Sequence, residues 1–317
     1  MVEREWAEGR RDTELGASGG ARAGAVHGGE APDEERAATG LPQSARAVDA
    51  AVLLGALCVV YWRTLFATAP PFGEDTGSFY APLYSLLSRA LLSGEVPGWN
   101  PHQGAGLPFV ADPQIGWGYL PAMLLFGLLP TLAALRVYVF FHIALATYSI
   151  YGLGLATGMP RRGALVAGLT FGLSAPFFHS QPDLAYLHTF SLAAAVLLLV
   201  EATHTAHRRR TRLLYATGAA FLFRQQMLLW PGQGTLYVAA MLSVYTVHRG
   251  WAAAHDRGWT WRSALGPVLL AAYIGVFGPL LNAWPQHDRT CGPATSNRRE
   301  RSSEASRPTR CGQARAS

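Results

Sequence analysis

Residues Thr131–Gly158 read TLAALRVYVFFHIALATYSIYGLGLATG, a run in which Arg136 is the only formally charged residue. A helix needs about 20 consecutive apolar residues to cross a bilayer core, so this stretch is long enough to span one. Working outward, comparable runs cover about Ala47–Thr68 on one side and Gly163–Phe178, Leu184–Val200, Leu213–Trp230, Thr235–Val247 and Ser263–Ala283 on the other. The composition agrees. Of 317 residues 50% are hydrophobic and 15% charged, against about a quarter charged in a soluble domain, and the mean hydropathy is +0.14. The composition points away from a cytosolic enzyme, and the expected fold is all-α: a polytopic transmembrane helix bundle.

The count of spans turns on Trp117–Pro130 (WGYLPAMLLFGLLP), which is short and interrupted by Pro121. That length suits an interfacial or re-entrant segment. If it does not cross, Arg161–Arg162, Arg208–Arg212 and Arg249–Arg262 share the side of the N-terminus, as the positive-inside rule prefers. The expectation is therefore about seven spans, a cytoplasmic N-terminus, a multi-pass cell-membrane location and a large first outer loop at about 69–130.

The flanks are different in kind. Residues 1–46 are rich in Gly, Ala, Glu and Arg and too poor in apolar side chains to offset ordering entropy, so a disordered cytoplasmic tail is expected. Residues 284–317 read as a disordered polar tail, placed outside by this topology although it carries seven arginines; a truncated chain is the expected reason. The membrane domain occupies 47–283. All 26 basic residues are arginine, which reads as a coding bias and not as a nucleic-acid partner. The three cysteines form neither a disulfide framework nor a metal-ligand spacing.

The first outer loop carries the chemistry. Asp75, Thr76 and Ser78 precede a helical pattern with Pro82 in its first turn and Gly94 at its end. Tyr80, Leu83, Leu87 and Leu91 recur at helical spacing opposite Ser85, Ser88, Arg89 and Ser93, which predicts a helix lying in the outer interface. Glu74 and Asp75 then sit at the bilayer surface. A helix N-cap is the structural alternative for Asp75, and an Asx-turn with Pro113 the alternative for Asp112. Trp99-Asn100-Pro101, Gly104, Gly106 and Asp112-Pro113-Gln114 predict a compact ordered loop.

The run GEDTGSFYAPLYSLLSRALLSGEVPGWNPHQGAGLPFVADPQIGWGYLP (73–121) resembles the bacterial YfhO-type membrane proteins of the GT-C superfamily. The matching residues are Asp75, Tyr80 and Pro82, then Gly94-Glu95-Val96-Pro97, Trp99-Asn100-Pro101, Gly106-Leu107-Pro108-Phe109, Asp112, Gln114 and the pair Tyr119 and Pro121. Gly232-Gln233 with Tyr237 is similar to the family's glycine/glutamine motif. The resemblance spans about Ala47–Ala283 and implies a GT-C-like fold, a polyprenyl-phosphate sugar donor, a cell-envelope acceptor and an outer active site with Asp75 as base. Some members of the superfamily use a Mg or Mn ion, so such a metal belongs to what the resemblance allows. Family members are usually longer, so the chain reads as a truncated member.

The expected site thus comprises Asp75 as catalytic residue, with Glu74, Tyr80, Asn100, Asp112, Gln114, His179, Asp183, Arg224 and Gln233 as binding residues. Arg224 stands near the outer end of its run, where a guanidinium can fork onto phosphate, or else snorkel to the interface. His179, Gln181, Asp183 and His188 belong to an outer turn, and His142 is expected to be a hydrogen-bonded interior histidine. The arginines at Arg161 and Arg208–Arg212 are expected to face anionic lipid as topology determinants. Two other classes compete: a transporter or flippase of a lipid-linked precursor, and a non-catalytic membrane fragment.

Overall fold

The structure is a computed structural model that describes residues 43–68, 72–110, 112–180, 183–257, 266 and 268–276. Within them the regular structure is helical, apart from one two-stranded hairpin. The helices are α1 (Gln43–Val60), α2 (Trp62–Phe66), α3 (Ala81–Ser93), α4 (Leu120–Leu128), α5 (Thr131–Ala156) and α6 (Arg161–Gly172). They continue as α7 (Ala175–Ser180), α8 (Leu184–Thr205), α9 (Arg209–Leu229) and α10 (Gln233–Arg257). Residues 268–276 are also helical. The expected tail at 284–317 and most of the expected tail at 1–46 lie outside the described residues. Gln43–Arg46, assigned to that disordered tail, instead begin α1.

Two helices among those described, α5 with 26 residues and α8 with 22, are long and apolar enough to cross a membrane. α8 packs between α5 and α9, and α6 packs along α5. The α5–α6 seam is close because α6 offers glycine there. A Cβ on Gly172 would lie 1.9 Å from the Thr147 hydroxyl, and one on Gly168 would lie 2.9 Å from the Thr147 carbonyl. Small residues four apart let backbones approach in this way where no hydrophobic effect drives helices together.

The expected run 163–178 is not one helix, and Pro176 explains why. Proline has no N–H to give the carbonyl four residues back, and its ring crowds that carbonyl. The chain leaves helical geometry at Leu173–Ser174 and restarts as α7. The carbonyl left over is that of Gly172, and the hydroxyl of Tyr61, at the junction of α1 and α2, donates to it at 2.8 Å. Both residues are buried, so the bond answers a group that water does not reach.

At the opposite end from the first loop, two buried carboxylates tie helices together. Asp49 of α1 is 1% exposed and forms an ion pair at 2.7 Å with Arg161 of α6; the Tyr151 hydroxyl donates to it at 2.6 Å. Glu201 of α8 is 2% exposed and pairs with Arg249 of α10 at 3.2 Å, with the Tyr245 hydroxyl donating at 2.6 Å. Arg161 is therefore engaged by a carboxylate and has a structural role in joining α1 to α6.

The first loop is built, as expected, and its parts cap one another. α3 ends at Gly94, whose φ of +69° suits glycine and closes the helix onto Ala90 and Leu91. β1 (Trp99–Asn100) pairs antiparallel with β2 (Leu107–Pro108), Trp99 opposite Pro108. Gly106 turns this hairpin at φ +109° directly beneath Trp99, where a Cβ would come within 2.5 Å of the indole. The amphipathic face of α3 differs from the expectation in one respect. Leu83, Tyr84, Leu87 and Ala90 are buried, and Ser88 with them, because α3 packs on α4 and α5. Tyr84 stacks on Phe126 of α4 with ring centroids 4.3 Å apart, and a core of Phe109, Ile115, Tyr119, Tyr138 and Phe177 continues below.

Candidate functional site

The segment leading into α3 is helical from Glu74, one turn earlier than its sequence suggests. Gly77 N donates to the Gly73 carbonyl, and Thr76–Tyr80 then form a π-helical turn closed by Ala81 N onto the Thr76 carbonyl. Such turns recur at functional sites because the extra residue re-aims the side chains around it. Asp75 has helical backbone angles and makes no side-chain capping bond, so the N-cap alternative is not realised. Glu74 and Asp75 are both exposed, and two carboxylates in a first turn complement the positive end of the helix.

Beside this turn lies a cleft of about 480 Å³ between α3 and the hairpin. Ser78, Phe79, Pro82, Ser85, Leu86 and Arg89 form the helix wall, and Asn100, His102 and Gln103 the hairpin wall. Of the expected site residues, Asn100 lines it. Asn100 is 5% exposed and organises the turn after β1. Its Oδ1 accepts from His102 N at 3.0 Å, and its Nδ2 donates to Gln103 Oε1 at 3.4 Å.

Tyr80 and Asp183 are brought together, from segments distant in the chain. The Tyr80 hydroxyl donates to Asp183 Oδ1 at 3.3 Å, while the same oxygen accepts from Ala185 N at 2.9 Å and so caps α8. Burial, and then the nearby Asp183 carboxylate, push the Tyr80 hydroxyl well above its ordinary range. This bond fixes the α7–α8 junction on the same side as Asp75, as the charge pattern implies. His179 falls in the last turn of α7 and its side chain lies outside the described residues, as does Gln181.

The remaining expected residues take other places. Asp112 caps a short 3-10 turn (Pro113–Ile115) by accepting from Gln114 N at 2.9 Å, which is the Asx-turn alternative. Gln114 is half-buried in that turn. Arg224 is half-buried on α9 near the loop, since its neighbour Gln225 accepts from Leu120 N at 3.1 Å. Arg224 does not line the cleft. Gln233 is exposed at the start of α10 and donates to the Tyr237 hydroxyl one turn on, joining the two residues of the glycine/glutamine motif away from the cleft.

Sequence reading missed a buried polar cluster beneath the loop. His142 is fully buried, with Tyr119 Oη 3.2 Å from Nε2 and Ser191 Oγ 2.7 Å from Nδ1. That bears out its reading as a bonded interior histidine. His188, read as part of an outer turn, is 1% exposed with its ring centroid 4.7 Å from that of His142. Gln226 Nε2 donates to Thr189 Oγ1 at 3.0 Å nearby. The signal was faint: polar residues on α5, α8 and α9 meet only once those helices pack.

Among the described residues no group of three or more His, Cys, Asp and Glu side chains gathers as a metal set. A Mg ion takes one or two carboxylates and completes its shell with water and substrate phosphate, so Glu74 and Asp75 fit an ion only in a substrate's company. Compared with protein-family models, curated proteins and solved structures, the chain matches none, so its site is read from its own residues.

Proposed function

We propose that the chain is a multi-pass membrane glycosyltransferase of GT-C type, moving a sugar from a polyprenyl-phosphate donor to a cell-envelope hydroxyl on the outer face. The observation that carries this is the exposed Asp75, whose carboxylate caps no helix and which stands immediately before the π-helical turn Thr76–Tyr80. The resemblance of residues 73–121 to YfhO-type proteins supports it, as do the span-length helices α5 and α8. Val52 and Val59 of α1, Leu214 of α9 and Val244 and Val247 of α10 are exposed, a surface suited to lipid. About seven spans, a cytoplasmic N-terminus and an outer first loop belong to this reading.

The reaction is a single displacement with inversion. The acceptor oxygen bonds to the anomeric carbon and gives its proton to Asp75, while the bond from that carbon to the phosphate oxygen breaks with its electron pair. Polyprenyl phosphate leaves. Arg224, from the same end of the bundle, balances the charge that develops on it. Glu74 would hold a Mg or Mn ion, which would neutralise phosphate charge when bound.

The test is transfer of labelled sugar from polyprenyl-phosphate donors in membranes. Asp75→Asn should abolish transfer and leave insertion unchanged, and full transfer by that variant refutes the role. A transport reading draws on the buried His142–His188 pair. Donor movement across vesicles that is lost in His188→Leu but kept in Asp75→Asn would favour it.

A further inference from the structure

The cleft between α3 and the hairpin has a chemistry that the transfer reaction does not use. Its one permanent cation is Arg89, and no ion pair to Arg89 occurs among the described residues. No acidic side chain lines the cleft. Around it stand further donors: the Ser85 hydroxyl, the His102 ring and the Gln103 amide, whose Oε1 is already occupied by Asn100. Phe79, Pro82 and Leu86 supply an apolar wall beside them. A helical side chain leans toward the N-terminus of its helix, and Arg89 lines the cleft on the same helix wall as Ser85 and Pro82.

We propose that this cleft is a binding site for a phosphate-bearing headgroup, with Arg89 as its anchoring cation. A guanidinium presents a planar fork of donors that matches phosphate oxygens, and the apolar wall accepts the carbon skeleton attached to the phosphate. The site is separate from the proposed transfer centre. Arg89 follows Asp75 by fourteen positions along helical chain, on the order of 20 Å at 1.5 Å per residue. The phosphate that leaves a sugar's anomeric carbon is bonded directly to that carbon, so it cannot be the anion held at Arg89. The inference therefore stands or falls independently of catalysis. The phosphate could belong to a bilayer lipid or to a solute.

The experiment uses the full chain in dodecyl maltoside micelles, which carry no phosphate. In one arm, photoactivatable phosphatidylglycerol is added and crosslinked peptides are mapped; in the other, inorganic phosphate is titrated by calorimetry. Crosslinks within residues 78–103 that fall about tenfold or more in Arg89→Gln support a lipid source. Phosphate binding weakened to the same degree in that variant supports a soluble source. Arg89→Lys should recover part of either signal. Arg89 is exposed, so its replacement leaves the fold intact, and Arg209→Gln at the far end is the control that should change neither readout within the loop. Absence of both signals, or signals undiminished in Arg89→Gln, overturns the proposal.

Discussion

Tyr61→Phe removes one oxygen and nothing else, yet it should be among the costlier conservative changes in this protein. The Tyr61 hydroxyl is the donor for the Gly172 carbonyl at 2.8 Å, and Pro176 cannot replace it, having no N–H. A buried acceptor left without a donor costs about 1–3 kcal/mol. Hydrogen bonds between membrane helices average nearer 0.6 kcal/mol, because the unfolded chain in lipid finds other partners. The two together give about 1–2 kcal/mol, roughly a five- to thirtyfold shift in the folding equilibrium. Tyr148→Phe is the matched comparison. Its hydroxyl donates at 2.7 Å to the Ala50 carbonyl, but Ala50 lies inside α1, where the helix itself serves that carbonyl. It should lose no more than about 0.6 kcal/mol. Reversible unfolding in bicelles reads both. Adding Pro176→Ala to Tyr61→Phe restores an N–H and should recover part of the loss. Equal effects of the two tyrosine changes, or a Tyr61→Phe loss under about 0.5 kcal/mol, would refute this account of the α6–α7 break.

Other expected outcomes follow the same logic. Gly172→Ala places a Cβ against Thr147 and should cost about 1–3 kcal/mol, with Thr147→Ala in the same chain recovering most of it in the same unfolding assay. Arg161→Gln strands the buried Asp49 with only Tyr151 and should lower stability in the same unfolding assay more than Arg162→Gln, which touches an exposed neighbour. Tyr80 is held neutral by burial and by Asp183. Its folded value lies above its unfolded value of about 10, so its contribution is complete below that pH and is lost as pH climbs toward the folded value. Proteolysis of the first loop should accordingly rise in strong alkali, and Tyr80→Phe should remove its share of that rise.

Much of this architecture can be read from local sequence, and the rest fails for definite reasons. Gly94 ends α3 and Asp112 turns onto Gln114 because each acts on its immediate neighbours. Helical periodicity likewise places Leu83 and Leu87 inward. It misplaces Ser88, because α4 and α5 together cover more of α3 than a flat lipid surface would. The break in the run 163–178 could have been drawn from Pro176 alone; its satisfaction by Tyr61, 111 residues away, could not. Asp49 and Glu201 were not singled out in the sequence, and only packing reveals Arg161 and Arg249 as their partners. In the candidate site, Tyr80 and Asp183 were each legible but not their bond. Arg89 was legible only as the polar side of a helix, since the hairpin that makes its surroundings a cleft folds back from later in the chain.

The transfer reading requires the first loop and the α8–α9 turn to face opposite sides of the membrane. Glu95 and Arg210 are exposed in those two places, so each can carry a single cysteine, Glu95→Cys or Arg210→Cys, once Cys58, Cys291 and Cys311 are replaced. Intact cells are treated with a membrane-impermeant maleimide and compared with lysed cells. Labelling of Glu95→Cys in intact cells, with Arg210→Cys reached only after lysis, is the result predicted; the reverse pattern contradicts the account.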